Sequence, residues 1–176
     1  TCDVHHEHTA TPSRKITRGE MEPMEYGALL HRVLQTWDFR EDPEKFIRLA
    51  FRRQRLDMNA HADTAERLRD DIAWFRQTDL GKTLLRSGAR CRELPFVLRV
   101  ESALIRGTID LILADGTLVD YKSGVNDDLP QHRWQLRLYG LAALQLGHPV
   151  ATVGYVCQLG RREWIPITLS ENDLRN

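Results

Sequence analysis

Three side chains pose the chemical question: Asp110 in "IRGTID", and Asp120 and Lys122 in "LVDYKSG". Asp120 and Lys122 stand two apart, on one side of an extended strand, and Asp110 lies ten residues earlier. Alone, D-x-K is also what a solvated ion pair looks like, worth well under ~1 kcal/mol. What decides between the two is whether Asp110 joins the pair. The intervening segment reads as a hairpin. A two-residue Asp115-Gly116 turn would pair Asp110 with Tyr121 and send the two aspartates to opposite faces. A three-residue Ala114-Asp115-Gly116 loop, with Gly116 as the left-handed residue of a bulge, pairs Leu113 with Thr117. Asp110 then faces Asp120, and Thr108 faces Lys122. This register also gathers Ile109, Leu111, Leu113, Val119 and Tyr121 on one face and leaves the polar groups on the other, so it is the one adopted.

Opposed carboxylates at ~5 Å between Cβ atoms repel each other, and a divalent cation relieves that repulsion. Hard oxygen ligands suit Mg²⁺ or Mn²⁺, which can bridge to a phosphate. Lys122 beside them can orient or deprotonate an attacking water or stabilise developing negative charge. The chemistry this predicts is phosphodiester hydrolysis.

The elements that must position these groups follow from periodicity. Tyr26, Leu29, Leu30, Val33, Leu34 and Trp37 recur at helical spacing. Two further helices are expected, one after the Asp42 cap with Pro43 in its first turn, and one starting at Thr64. At "ELPFVLRV" the period becomes two, with Pro95 marking an edge strand or bulge. Residues 103 to 113 and 117 to 122 supply the next strands. Pro130 opens a helix running to Leu146 and closed by Gly147 and Pro149, and "ATVGYVCQ" and "REWIPITL" are the last two strands. The fold class is α/β, with a helical N-terminal half. Residues 1–22 are polar, without period, and read as a flexible arm or linker; their "HHEH" could chelate a metal but reads first as solvated tail.

Bulk properties set limits. At 176 residues and 41% hydrophobic content the chain suffices for one core. Lys plus Arg and Asp plus Glu are 25 each, so no global positive field advertises nucleic acid and a polyanion site must come from local clustering. Cys2, Cys91 and Cys157 are odd in number and form no C-x-x-C, which indicates neither a disulfide framework nor an iron–sulfur cluster and suggests a reducing cytoplasm. No segment reaches the ~18 apolar residues of a membrane span. The chain begins at Thr1 rather than Met, as a portion excised from a longer protein would.

The ordered combination of "GALLHRVL", "RELPF", "GTID", "VDYKSG" and "QLRLY" resembles the RecB-family nucleases of the PD-(D/E)xK superfamily, over about residues 23 to 158. The likeness is greatest to the C-terminal nuclease domain of AddA/RecB-type helicase-nuclease subunits. It implies a restriction-endonuclease-like core, a central mixed sheet flanked by helices, filling residues 23–176. It implies that Asp110 and Asp120 bind metal, that Tyr121 lends its backbone carbonyl, that His31 completes the metal site, and that Lys122 is the catalytic lysine. Gln135 and Tyr139 match the family's Q-x-x-x-Y, where they would position the lysine or the DNA strand. Glu93 matches its strand glutamate, a further site carboxylate. By spacing alone Gln135 is equally a surface residue, Tyr139 a packing residue and His31 a boundary histidine. Two departures stand out: Ser123 replaces a common Thr, and the cluster-binding cysteines of some relatives are absent.

The function so implied is a Mg²⁺- or Mn²⁺-dependent DNA exonuclease domain. It would act on single strands or duplex ends delivered by a helicase domain or subunit, in double-strand-break repair and recombination. No Walker A motif is present, so unwinding must reside elsewhere. The rival readings are an inactive nuclease-like module that binds DNA or a partner protein, and an unrelated α/β binding module. The tryptophans at positions 37, 74, 134 and 164 read as core and are assigned no contact with DNA.

Overall fold

The computed structural model describes residues 21–100, 102–124 and 128–169. The arm expected over 1–22, with its histidine cluster, falls almost wholly outside them. Ten elements follow in order: α1 (Pro23–Thr36), α2 (Pro43–Arg53), α3 (Ala62–Gln77), α4 (Asp79–Ser87), β1 (Ala89–Val100), β2 (Ala103–Leu113), β3 (Leu118–Lys122), α5 (Leu129–Gln145), β4 (Val153–Gln158) and β5 (Glu163–Thr168). This is a restriction-endonuclease-like α/β fold built on a mixed five-stranded sheet. Local chemistry accounts for most boundaries. The Asp42 carboxylate accepts from the Glu44 amide and the Asp128 carboxylate from that of Gln131, each satisfying an orphan donor of a first turn. α3 starts at Ala62, two residues before the expected Thr64, with His61 at its cap and no side-chain cap bond. α4 was not expected, because Gly81 weakens its helical pattern; the Thr78 hydroxyl caps it by accepting from the Gly81 amide. Among the described residues no helix is long and apolar enough to cross a membrane.

The sheet order is β1-β2-β3-β4-β5, antiparallel throughout except for the parallel β3–β4 pair, which α5 connects in the chain. Two clusters of buried side chains make this a three-layer structure. On one face α1 to α4 pack over Leu111, Leu113, Val119, Tyr121 and Cys157. On the other, Leu136, Tyr139 and Ala143 of α5 pack over Phe96, Leu98, Ile112, Leu118 and Val156. Each outer strand contains a proline, Pro95 in β1 and Pro166 in β5.

The β2–β3 turn has the three-residue form. The Leu113 amide donates to the Thr117 carbonyl at 2.9 Å, and Gly116 has φ +89. Leu111 pairs with Val119 and Ile112 with Leu118, so Asp110 is registered against Asp120. The expected facing fails at two adjacent residues: Ile109 packs in the α5 cluster, away from Leu111 and Leu113, and Asp110 reaches His31 on the α1 side. The cause lies across the ladder. Glu93, between the pairs Arg92↔Leu111 and Leu94↔Ile109, has φ +48, in the left-handed region that a side chain disfavours. Alternation is lost there on both strands. Arg92 and Glu93 both reach α1, and Leu94 and Ile109 turn to α5. Asp110 thereby comes to the α1 side beside Leu111.

Candidate active site

α1 owes its position to a polar tie and a close approach. The Tyr26 hydroxyl donates to Asp71 of α3 at 2.6 Å, with the Arg67 guanidinium 3.9 Å above the Tyr26 ring. One turn before His31, Gly27 has no side chain, and a Cβ there would stand 2.7 Å from the Ser123 hydroxyl. The helix therefore touches the end of β3. His31 Nε2 lies 3.0 Å from the Tyr121 carbonyl oxygen, while Nδ1 is 3.8 Å from Asp110 Oδ2 and 4.0 Å from Glu93 Oε1. His31, Glu93 and Asp110 each present one ligand atom within 4.8 Å of the others, a donor set that could hold a metal ion. One imidazole and two carboxylates fit a divalent cation.

Electrostatics point the same way. Burial, and then the like charge of Asp120, push the Asp110 carboxyl up to about 7 against the pull of His31 and the Tyr121 amide. That amide donates to Asp110 Oδ2 at 2.8 Å. Burial also raises Asp120, and the adjacent Lys122 offsets this only in part. For His31, burial acts downward but is outweighed by Glu93 and Asp110, so its net displacement is upward. Such a set, strained by its own negative charge, gains from a cation.

On the α5 side of Asp120 the remaining predicted residues close a ring. Lys122 Nζ sits 3.1 Å and 2.9 Å from the two oxygens of Asp120, itself only 1% exposed, and donates to Gln135 Oε1 at 2.9 Å. Gln135 Nε2 donates to the Tyr139 hydroxyl at 2.8 Å, and that hydroxyl returns to Asp120 at 3.5 Å. Phe96 meets the Tyr139 ring edge-on, and Gly107 leaves room for it, since a Cβ there would be 2.6 Å from the Phe96 ring. Asp120 thus has Lys122 as its counter-charge and stands outside the trio of His31, Glu93 and Asp110. It is still near enough to raise Asp110.

The family model for the PD-(D/E)XK nuclease superfamily matches residues 2–168. The chain belongs to that superfamily. Comparison with curated proteins returns no match. PD-(D/E)XK proteins are mostly nucleases and use divalent metals, which is the chemistry the acidic and histidine donors here suit.

Two buried polar residues beneath Lys122 were not anticipated. His132 of α5 and Gln158 of β4 bring their Nε2 atoms within 3.2 Å, and Gln158 is paired in register with Lys122. His132 lies three and seven residues before Gln135 and Tyr139, so helical spacing could have found it. Gln158 could not be found locally, because its place depends on the parallel pairing of β3 with β4.

Proposed function

We propose that this domain is a Mg²⁺- or Mn²⁺-dependent deoxyribonuclease of the RecB family, most similar to the nuclease domain of AddA/RecB-type helicase-nuclease subunits. Residues 23–176 would form the nuclease and 1–22 a linker. The observation that carries the reading is the ring of Lys122, Asp120, Gln135 and Tyr139 set against the cluster of His31, Glu93 and Asp110. Lys122, with Gln135 and Tyr139, acts on the reaction, while the carboxylates and His31 can hold charge. His31, Asp110, Asp120 and the Tyr121 carbonyl would hold the cation, with Glu93 as a further site carboxylate. When bound, the cation supplies electrophilic activation of the phosphate. Lys122, steered by Gln135, orients the attacking water and stabilises negative charge as the new P–O bond forms and the bond to the leaving sugar oxygen breaks. Tyr139 fixes Gln135. Exonucleolytic action on ends or single strands supplied by a helicase, in double-strand-break repair and recombination, completes the proposal.

The test is cleavage of end-labelled single- and double-stranded DNA with Mg²⁺ or Mn²⁺, without ATP, beside Asp120→Ala and Lys122→Ala. Weak cutting by the parent is expected, with losses on the order of a hundredfold or more in each variant. Lys122→Ala should still bind Mn²⁺. Cutting that persists in both variants, or none in the parent, would overturn the reading.

A further inference from the structure

A buried polar pair adjoins the catalytic ring without belonging to it. His132 of α5 is 4% exposed, and Gln158 at the end of β4 is fully buried. Gln158 Nε2 lies 3.2 Å from His132 Nε2. An amide nitrogen can only donate, so this ring nitrogen accepts and the ring proton sits on Nδ1. That Nδ1 is buried and meets no hydrogen-bond partner among the described residues. The pair interrupts the otherwise apolar layer between α5 and the sheet, to which Leu136, Ala143 and Val156 belong. Burying two polar side chains costs free energy that a single shared hydrogen bond recovers only in part. Stability alone therefore does not account for them.

Their position does. In the parallel pairing of β3 with β4, Lys122 stands opposite Gln158, and the Leu159 amide donates to the Lys122 carbonyl at 2.9 Å. Opposed residues of neighbouring strands project from one face, on strands ~4.8 Å apart. Lys122 and Gln158 both turn to α5, the first to Gln135 and the second to His132. Gln135 and His132 are three apart on that helix and share its sheet-facing side. Lys122 thus has Asp120 and Gln135 as direct partners and the Gln158 amide as its wall on the β4 side. We infer that His132 and Gln158 are positioning residues, which confine the Lys122 ammonium beside Asp120 and Gln135. Gln158 stops the lysine from leaning toward β4, and His132 fixes the rotamer of Gln158. Both are buried beneath the lysine, so they act through it and not on a substrate. The inference rests on the nuclease reading for its effect on cleavage, but confinement of Lys122 can be measured without cleavage.

The experiment combines lysine NMR with steady-state cleavage, both on the full chain. Lysines occur only at positions 15, 45, 82 and 122, so ¹³C-lysine labelling gives few signals, and Lys122→Arg assigns the one that matters. In EDTA the two ε protons of a confined Lys122 should give separate resonances, and in His132→Leu these should merge. In the cleavage assay His132→Leu should lower kcat roughly ten-fold with KM unchanged. His132→Gln, whose side-chain oxygen can accept from the Gln158 amide, should recover both the separate resonances and most of kcat. Gln158→Met, of similar length but without the amide, should reproduce both losses from the β4 side, and it decides the matter if His132→Leu does not fold. Merged resonances in the parent, separate resonances or unchanged kcat in the folded His132→Leu and Gln158→Met variants, or equal losses in His132→Leu and His132→Gln overturn the positioning role. A lower thermal midpoint with the Lys122 resonances and kcat both unmoved also overturns it, because the pair is then packing alone. If the parent cuts nothing with Mg²⁺ or Mn²⁺, the nuclease reading fails, and the resonances alone decide whether the pair confines Lys122.

Discussion

Replacing Asp110 by Asn should stabilise the metal-free protein at alkaline pH, although it removes a charged residue of the candidate site. The carboxyl is held at about 7 against an ordinary 3.8, chiefly by burial and then by Asp120. A folded-state value above the unfolded one means that the folded chain keeps the proton more tightly. The stabilisation from that proton is complete below about 4 and is lost as pH rises through about 7. At pH 8 the parent therefore carries the whole cost of an ionised Asp110. At ~1.4 kcal/mol per pH unit the ceiling is on the order of 4 kcal/mol. Shared charge with His31 and residual hydration reduce this to about 2 kcal/mol. Asn retains an oxygen to accept from the Tyr121 amide, now 2.8 Å from Asp110 Oδ2, so the backbone bond survives. For a domain of this size, ~2–4 °C per kcal/mol places the variant's thermal midpoint about 4–8 °C above the parent at pH 8, with no difference near pH 4. Thermal circular dichroism in EDTA reads both, and added Mn²⁺ should raise the parent more than the variant. A variant less stable than the parent at pH 8, or an offset equal at both pH values, would show that Asp110 is not a charge held at a cost.

Two further perturbations probe how α1 meets the sheet. His31→Ala should weaken Mn²⁺ binding by calorimetry while leaving the thermal midpoint close to the parent's. Because ligation needs the neutral ring and His31 is displaced upward, parental metal affinity should fall as pH drops through the histidine's raised range, before ordinary carboxylates titrate; a sharp drop in midpoint with unchanged affinity would make His31 a packing residue. Gly27→Ala places a Cβ against the Ser123 hydroxyl at 2.7 Å and should shift His31 enough to cost on the order of 1 kcal/mol, about five-fold, in metal affinity. Adding Ser123→Ala should restore most of it, and equal affinity in Gly27→Ala and the parent would remove the contact from the account.

Local rules made much of this molecule legible. The Asp42 cap, the stripe from Tyr26 to Trp37, and the three-residue turn with its left-handed Gly116 all follow from patterns within a few residues. The register between Asp110 and Asp120 came with that turn. What was not legible depended on contacts distant in sequence or on broken periodicity. Period-two reasoning put Ile109 with Leu111, but the left-handed Glu93 on the neighbouring strand turns Ile109 toward α5, and no rule about β2 alone contains that fact. Gln158 lies under Lys122 only because β3 and β4 run parallel. Trp134 was counted with the core but is 59% exposed, and its neighbours Arg133 and Arg137 already marked an outward face. Gln135 and Tyr139 were as compatible with surface and packing as with a site until the ring they close with Lys122 was seen.

The prolines on the two outer strands have a consequence for assembly. A β-sheet with bare margins is a template on which another extended chain can deposit, whether a partner's tail or a misfolded copy of itself. Pro95, paired with Thr108 at one margin, and Pro166, paired with Tyr155 at the other, each lack the amide hydrogen such a deposit would need. Each outer strand is thereby a poorer template for such a deposit. Concentrated preparations should resist fibril formation better while both prolines are kept than after their replacement.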